Sequence, residues 1–136
     1  MSKSNTTEND FIKYAFNGTA ISWAANGTLY VALHTADPGE AGDQTTNEAT
    51  YTGYGRIGVS RDSGGWTCSG NQASNTAEVT FAECTGLSDT ITHVSVGLVS
   101  TGASQILYSG ALTAPINISN LITPRFPAGT LIIQED

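Results

Sequence analysis

His34, Asp37, Glu40 and Asp43 stand three residues apart in the stretch "HTADPGEAGD", and each is a side chain that metal ions accept as a ligand. Three-residue spacing gathers side chains on one face only within a helix. Pro38, Gly39 and Gly42 interrupt any continuous helix here, because proline breaks the hydrogen-bond ladder and glycine disfavours it. The calcium-loop pattern does not fit either, since it needs oxygens at alternate positions, a central glycine and a closing glutamate. Asp37-Pro38-Gly39 is a turn signal. The expectation is a loop that binds no metal.

Acid–base and nucleophilic chemistry find equally little support. The chain has two histidines, His34 at the end of an apolar run and His93 on the polar side of an alternating one. Serines are plentiful, but no G-x-S-x-G elbow presents one as a nucleophile. Asp89 with Glu83, or Asp37 with Glu40, can be named as carboxylate pairs, yet nothing in their spacing sets either pair across a substrate. Glycine-rich phosphate cradles are missing as well. The chain reads as a non-enzymatic protein with no catalytic residues and no cofactor.

The elements that carry these residues follow from composition and periodicity. A chain of 136 residues makes one domain. It is 39% hydrophobic and only 12% charged, with Ser, Thr, Asn and Gly in place of charge, as in turn-rich β proteins. Residues 1–7 are small and polar, and read as a mobile N-terminal arm before a single domain over 8–136. Phe11, Ile12, Ala15 and Phe16 recur at helical spacing and predict a short amphipathic helix over residues 8–16, ended by Asn17-Gly18. Strands are expected at 29–33, 54–60, 77–81, 94–98, 106–112, 116–118 and 130–133, with turn residues between them. Seven or eight such strands suit an all-β, antiparallel sandwich of jelly-roll type. Alternation places Val79, Phe81, Val94, Val96 and Ile132 in its core.

Charge and cysteine usage narrow the partners. The net charge is −7 with five Lys and Arg in total, which disfavours nucleic acid and anionic membrane surfaces. No stretch approaches the roughly 18 apolar residues of a membrane span, and the N-terminus lacks the apolar core of a secretory signal. Cys68 and Cys84 are too far apart for a metal or redox pair and read as reduced, partly buried residues, with a disulfide formed after lysis left open.

What remains is the loop over residues 35–50, longer than a passive connection usually is. It leads into Tyr51-Thr52-Gly53-Tyr54-Gly55-Arg56. Tyrosine and arginine are enriched at interface centres, so Tyr51, Tyr54 and Arg56 are candidate interface residues. The other reading is that the tyrosines cover one end of the core. Both stand at this point.

The segment "LYVALHTADPGEAGDQTTNEATYTGYGRIGV" resembles a stretch found in small structural proteins of tailed bacteriophages, tail-fibre-like virion proteins and cement proteins of podovirus-type capsids among them. The likeness continues in "GNQASNTAEVTF", "DTITHVSVGLVSTG" and "RFPAGTLIIQED", and so covers nearly the whole chain after residue 10. It is most specific from Leu33 to Glu40, at Asn47-Glu48 and from Tyr51 to Tyr54. "VGLVSTGAS" departs from the pattern, being more apolar and less acidic, so no interface residue is carried over from it. The resemblance implies a virion protein made in the bacterial cytoplasm and placed on the capsid surface. There it would cement the major capsid protein and associate with itself. The alternative is a tail or head-fibre component that binds host glycans, with Trp23, Trp66 and the tyrosines as stacking rings.

Overall fold

Ile91, Val94 and Val96 all point into the core, although the first two are three residues apart. A register irregularity between Ile91 and His93 resets the alternation and makes this possible, as a β-bulge does. They belong to strand β7 (Asp89–Gly97), the centre of a computed structural model that describes residues 1–135. β7 pairs on one side with β8 (Ile106–Ile118) and on the other with β2 (Thr28–His34). β1 (Ser2–Lys3) and β3 (Ile57–Ser60) close the edges, giving a five-stranded antiparallel sheet in the order β1-β8-β7-β2-β3.

A second layer faces it. Strands β4 (Trp66–Ser69), β5 (Gln72–Asn75) and β10 (Ile132–Gln134) form a three-stranded sheet, and β6 (Val79–Thr80) pairs with β9 (Arg125–Phe126). Val31, Leu33, Val94 and Val96 from the large sheet pack with Trp66, Val79, Phe81, Phe126, Leu131 and Ile133. Phe81 sits at the middle, stacked on Tyr54 at 6.3 Å and edge-on to Phe126 at 6.2 Å. The architecture is all-β and antiparallel with one N-terminal helix, its strands divided five, three and two.

Several elements depart from expectation for identifiable reasons. The N-terminal arm is not free: Ser2 and Lys3 pair with Ser109 and Tyr108 of β8. Helix α1 (Asn5–Asn17) starts earlier than residue 8, because Ser4 is the N-cap and accepts from the Thr7 N–H. Gly18, at φ 65°, ends it in the left-handed conformation that glycine adopts without strain. The two strands expected at 106–112 and 116–118 are one, β8. Pro115 is tolerated there because β1 covers only Tyr108 and Ser109 of its outer edge. The β4–β5 hairpin escaped the sequence reading, since its strands are short and mostly polar.

Two burial assignments also change. Ile133, not Ile132, lies in the core: Ile132 is 49% exposed and Ile133 only 8%. A one-residue slip in phase exchanges the two faces of a strand, and the three successive apolar residues Leu131-Ile132-Ile133 do not alternate to set that phase. Cys68 is exposed, Cys84 is buried, and both are free thiols.

This register predicts opposite outcomes for adjacent residues. Ile133→Asp places an unpaired carboxylate in the core and should abolish soluble expression, whereas Ile132→Asp should express and melt within a few degrees of the parent. Thermal melting of both variants is the measurement. Equal tolerance would show that β10 is out of phase.

Candidate functional site

The long connection between β2 and β3 is where the sequence placed its candidate residues. Val31 and Leu33 of β2 face the core, while Ala32 and His34 face the other way, yet all four are fully buried. The loop folds back across that outer face and covers it. Gln44 is the plug: its amide donates to the Tyr30 carbonyl at 2.9 Å and to Ser95 Oγ at 3.2 Å. Gly97 makes room for it, since a Cβ there would lie 2.3 Å from the Gln44 side chain.

His34 uses both ring nitrogens in this layer. Nδ1 lies 2.9 Å from the Thr46 carbonyl, which can only accept, so Nδ1 donates. Nε2 lies 2.7 Å from Ser95 Oγ and, in that tautomer, accepts its hydroxyl proton. Burial lowers the His34 pKa below 6.5, aided by the charges of Arg56 and His93 and opposed by the Thr46 carbonyl and Glu48. The imidazole is therefore a neutral structural link. The other members of the spaced set lie elsewhere. Asp37 Oδ1 accepts from Gly39 N, Asp43 Oδ1 accepts from Thr45 N, and Glu40 Oε1 accepts from Ser2 Oγ. Among the described residues, no group of three or more His, Cys, Asp or Glu is arranged to hold a metal. Asp89, named above as a carboxylate partner of Glu83, accepts from the Thr50 N–H at 2.6 Å.

Tyr51, Tyr54 and Arg56 do converge, but inward. Tyr51 is 2% exposed and donates to the Ala82 carbonyl, and burial pushes its phenol up to about 12. Tyr54 meets Tyr51 edge-on at 5.5 Å and donates its hydroxyl proton to Glu48 Oε1 at 2.8 Å, while accepting from the Leu33 N–H. Desolvation raises its pKa far out of the physiological range. The Arg56 side chain is 2% exposed and grips Glu48 with two parallel bonds, Nε to Oε1 at 2.7 Å and an Nη to Oε2 at 2.9 Å. Its remaining donors reach the Val99 and Gly102 carbonyls, in the turn between β7 and β8. The three candidates thus cover one end of the core and lock the loop, and do not form an exposed contact patch. Glu48, the residue that organises them, was marked in the sequence only within the family resemblance, at Asn47-Glu48, and not as a site residue. Its spacing of six and eight residues from Tyr54 and Arg56 has no meaning outside the folded loop.

The tryptophans are committed as well. Trp23 is packed edge-on against Phe11 at 5.9 Å, lies under the Arg61 guanidinium at 5.2 Å, and donates to Asp10. Trp66 is in the core, and its indole N–H has no hydrogen-bond partner. Trp23 is thereby covered, whereas Trp66 lines a groove.

Two features do face outward, and both are apolar. The first is the C-terminal half of α1. Ser4 and Thr7 tie the start of the helix to the Ile106 carbonyl, and Gln105 bridges Thr7 and Asp10. Beyond that root, residues 11–17 are all exposed, with Ile12 at 59% and Phe16 at 81%. The helical spacing of these residues marks an apolar face, yet beyond the edge-on contact of Phe11 with Trp23 that face is left open. The second is a groove of about 620 Å³ between the two sheets, lined by Leu29, Trp66, Ala73, Leu107, Tyr108 and Ile133.

A β domain whose candidate site residues hold its own loop, and which exposes an apolar helix end and an apolar groove, fits a structural subunit. The comparison with known families agrees: a family model described as Podophage GP4 fiber I protein gp80 matches residues 2–134, and the chain belongs to that family. It is a phage fibre-type structural protein and a virion component. No curated protein matches the sequence significantly.

Two outcomes follow from the site. Arg56→Ala strands Glu48 in a mostly desolvated position and should cost about 3 kcal/mol of unfolding free energy. The double variant with Glu48→Gln should recover part of that loss, which a double-mutant cycle in urea measures. For His34, the depressed pKa means that the unfolded chain takes up the proton first. The stability it contributes is complete above about pH 6.5 and declines as the pH falls toward the folded value. The denaturation midpoint should accordingly drop between pH 7 and about 5.5 in the parent, and His34→Gln should flatten that slope.

Proposed function

We propose that this protein is a non-enzymatic fibre subunit of a podophage virion that works by protein–protein packing, with the exposed end of α1 as its principal contact. The observation that carries this reading is the run of exposed apolar side chains on α1, Phe11, Ile12, Tyr14 and Phe16, on a domain whose polar and charged groups are otherwise solvated or paired. Apolar patches of a few hundred Å² mark association surfaces on soluble proteins. A non-catalytic role is supported by the commitments of the titratable groups: His34, Glu48 and Asp89 each hold the loop together.

A capsid-surface location, with the major capsid protein as partner, is the second reading. The same projecting helix favours it, because an anchor of this kind can seat between shell subunits as readily as in a fibre. Many weak contacts made together then stabilise a shell. Both readings avoid nucleic acid and membrane as partners, in keeping with the acidic charge of −7.

Copy number separates the two. The band near 14.1 kDa in purified particles should be present at a small fraction of the major capsid protein if the subunit belongs to fibres. Near-equal molar abundance would assign it to the capsid surface instead. Absence of the band from particles would dismiss the structural reading.

A further inference from the structure

We propose that the exposed end of α1 in one copy seats in the apolar groove between the sheets of a second copy, and that the exchange is reciprocal. The inference rests on the fibre-subunit reading for its setting but on three separate observations for its substance.

The first is that one chain carries both a knob and a hole. The groove walls are Leu29, Trp66, Ala73, Leu107, Tyr108 and Ile133, so its natural occupant is a pair of apolar side chains. Ile12 and Phe16, four residues apart on one face of a helix, are such a pair and have nothing to cover them. An amphipathic helix in a hydrophobic groove is a recurrent mode of recognition.

The second is charge. Within residues 1–17, Lys3 and Lys13 offset Glu8 and Asp10, so the whole net charge of −7 falls on the remainder of the chain. The helix can therefore approach the acidic body of another copy without like-charge repulsion. The mouth of the groove is itself mixed, with Arg61 beside Asp62 and with Glu135 held by Lys3 at 2.6 Å.

The third is continuity and area. Lys3 lies over the rings of both Phe11, at the helix root, and Tyr108, in the groove wall. Arg61 lines the groove and covers Trp23, which in turn touches Phe11. Helix and groove are thus neighbouring parts of a single surface, as a two-fold interface requires when each copy gives what it receives. Ile12 and Phe16, exposed at 59 and 81% on one face of the helix, leave roughly 250–300 Å² of side chain open. With the groove walls added, each copy contributes less than about 600 Å², the size of a weak interface.

The groove contains its own reporter, because Cys68 lines it as an exposed free thiol while Cys84 is buried. Purified full-length protein should sediment as a dimer at micromolar concentration. Phe16→Asp should weaken that association by about tenfold or more, while the melting temperature measured at concentrations where the parent is monomeric stays unchanged, since Phe16 makes no core contact. Mild oxidation of Phe16→Cys should yield a disulfide-linked dimer on a non-reducing gel, and adding Cys68→Ser should abolish it. A chain that sediments as a monomer overturns the proposal. So does a dimer that resists Phe16→Asp, or one in which Phe16→Cys does not link to Cys68; the latter would mean that helix meets helix, or that the groove serves another virion protein. These results are independent of particle copy number. A monomer found on particles sinks this proposal alone, and a dimer absent from particles sinks only the fibre reading.

Discussion

The Glu48–Arg56 pair holds together the part of the molecule that the rest depends on. It clamps the last part of the long loop, from Glu48 to Arg56, by a bidentate bond, and through Val99 and Gly102 it fastens that loop to the turn between β7 and β8. Tyr54 adds a third point by bonding Glu48 and the β2 backbone together. Closing a loop of this length costs entropy only slowly as residues are added, so a few strong, shielded contacts suffice to hold it. The pair is not a large source of net stability, because desolvating two charges offsets much of their attraction. Its value is in geometry: with either partner removed, the other is left buried and alone.

Once held, the loop turns a two-sided sheet into a buried one. The outer face of β2 would otherwise show Ala32 and His34 to water, and Ser95 of β7 beside them. Gln44, His34 and Ser95 fill that layer with hydrogen bonds in place of hydrocarbon. Such a layer tolerates little change, since each donor has its acceptor and Gly97 leaves no spare space. A small acidic domain gains from this arrangement a rigid body without a large core. Rigidity of that kind suits a subunit that must present the same surface in every copy of an assembly.

The same division of labour explains what is left outside. Polar and charged side chains near the loop are consumed internally, and what is left open is apolar, the free end of α1 and the groove between the sheets. The helix is tied at its root by Ser4, Thr7 and Asp10 and released beyond it. An anchored base with an exposed tip costs little entropy when the tip docks, because its direction is already set.

The sequence alone carried the class of fold. Alternation at Val79 and Phe81 and at Val94 and Val96 is a period-two signal that needs no tertiary context, and those four residues are buried as it implied. The helix cap at Gly18 and the turn at Asp37-Pro38-Gly39 were legible for the same reason, as local backbone chemistry. The resemblance centred on residues 29–59 pointed to a phage structural protein, and the family match agrees. What only the folded chain decided was direction and partnership. Tyr51, Tyr54 and Arg56 carry the composition of an interface, yet Glu48 and the end of the core draw them inward. Ile12 and Phe16 carry the spacing of an apolar face, yet only the helix root and Phe11 reach the domain. Residue type and spacing report what a side chain would gain by burial. Which surface meets it is set by contacts between residues distant in sequence, as between Arg56 and Gly102 or Thr7 and Ile106, and those exist only after the sheets have paired.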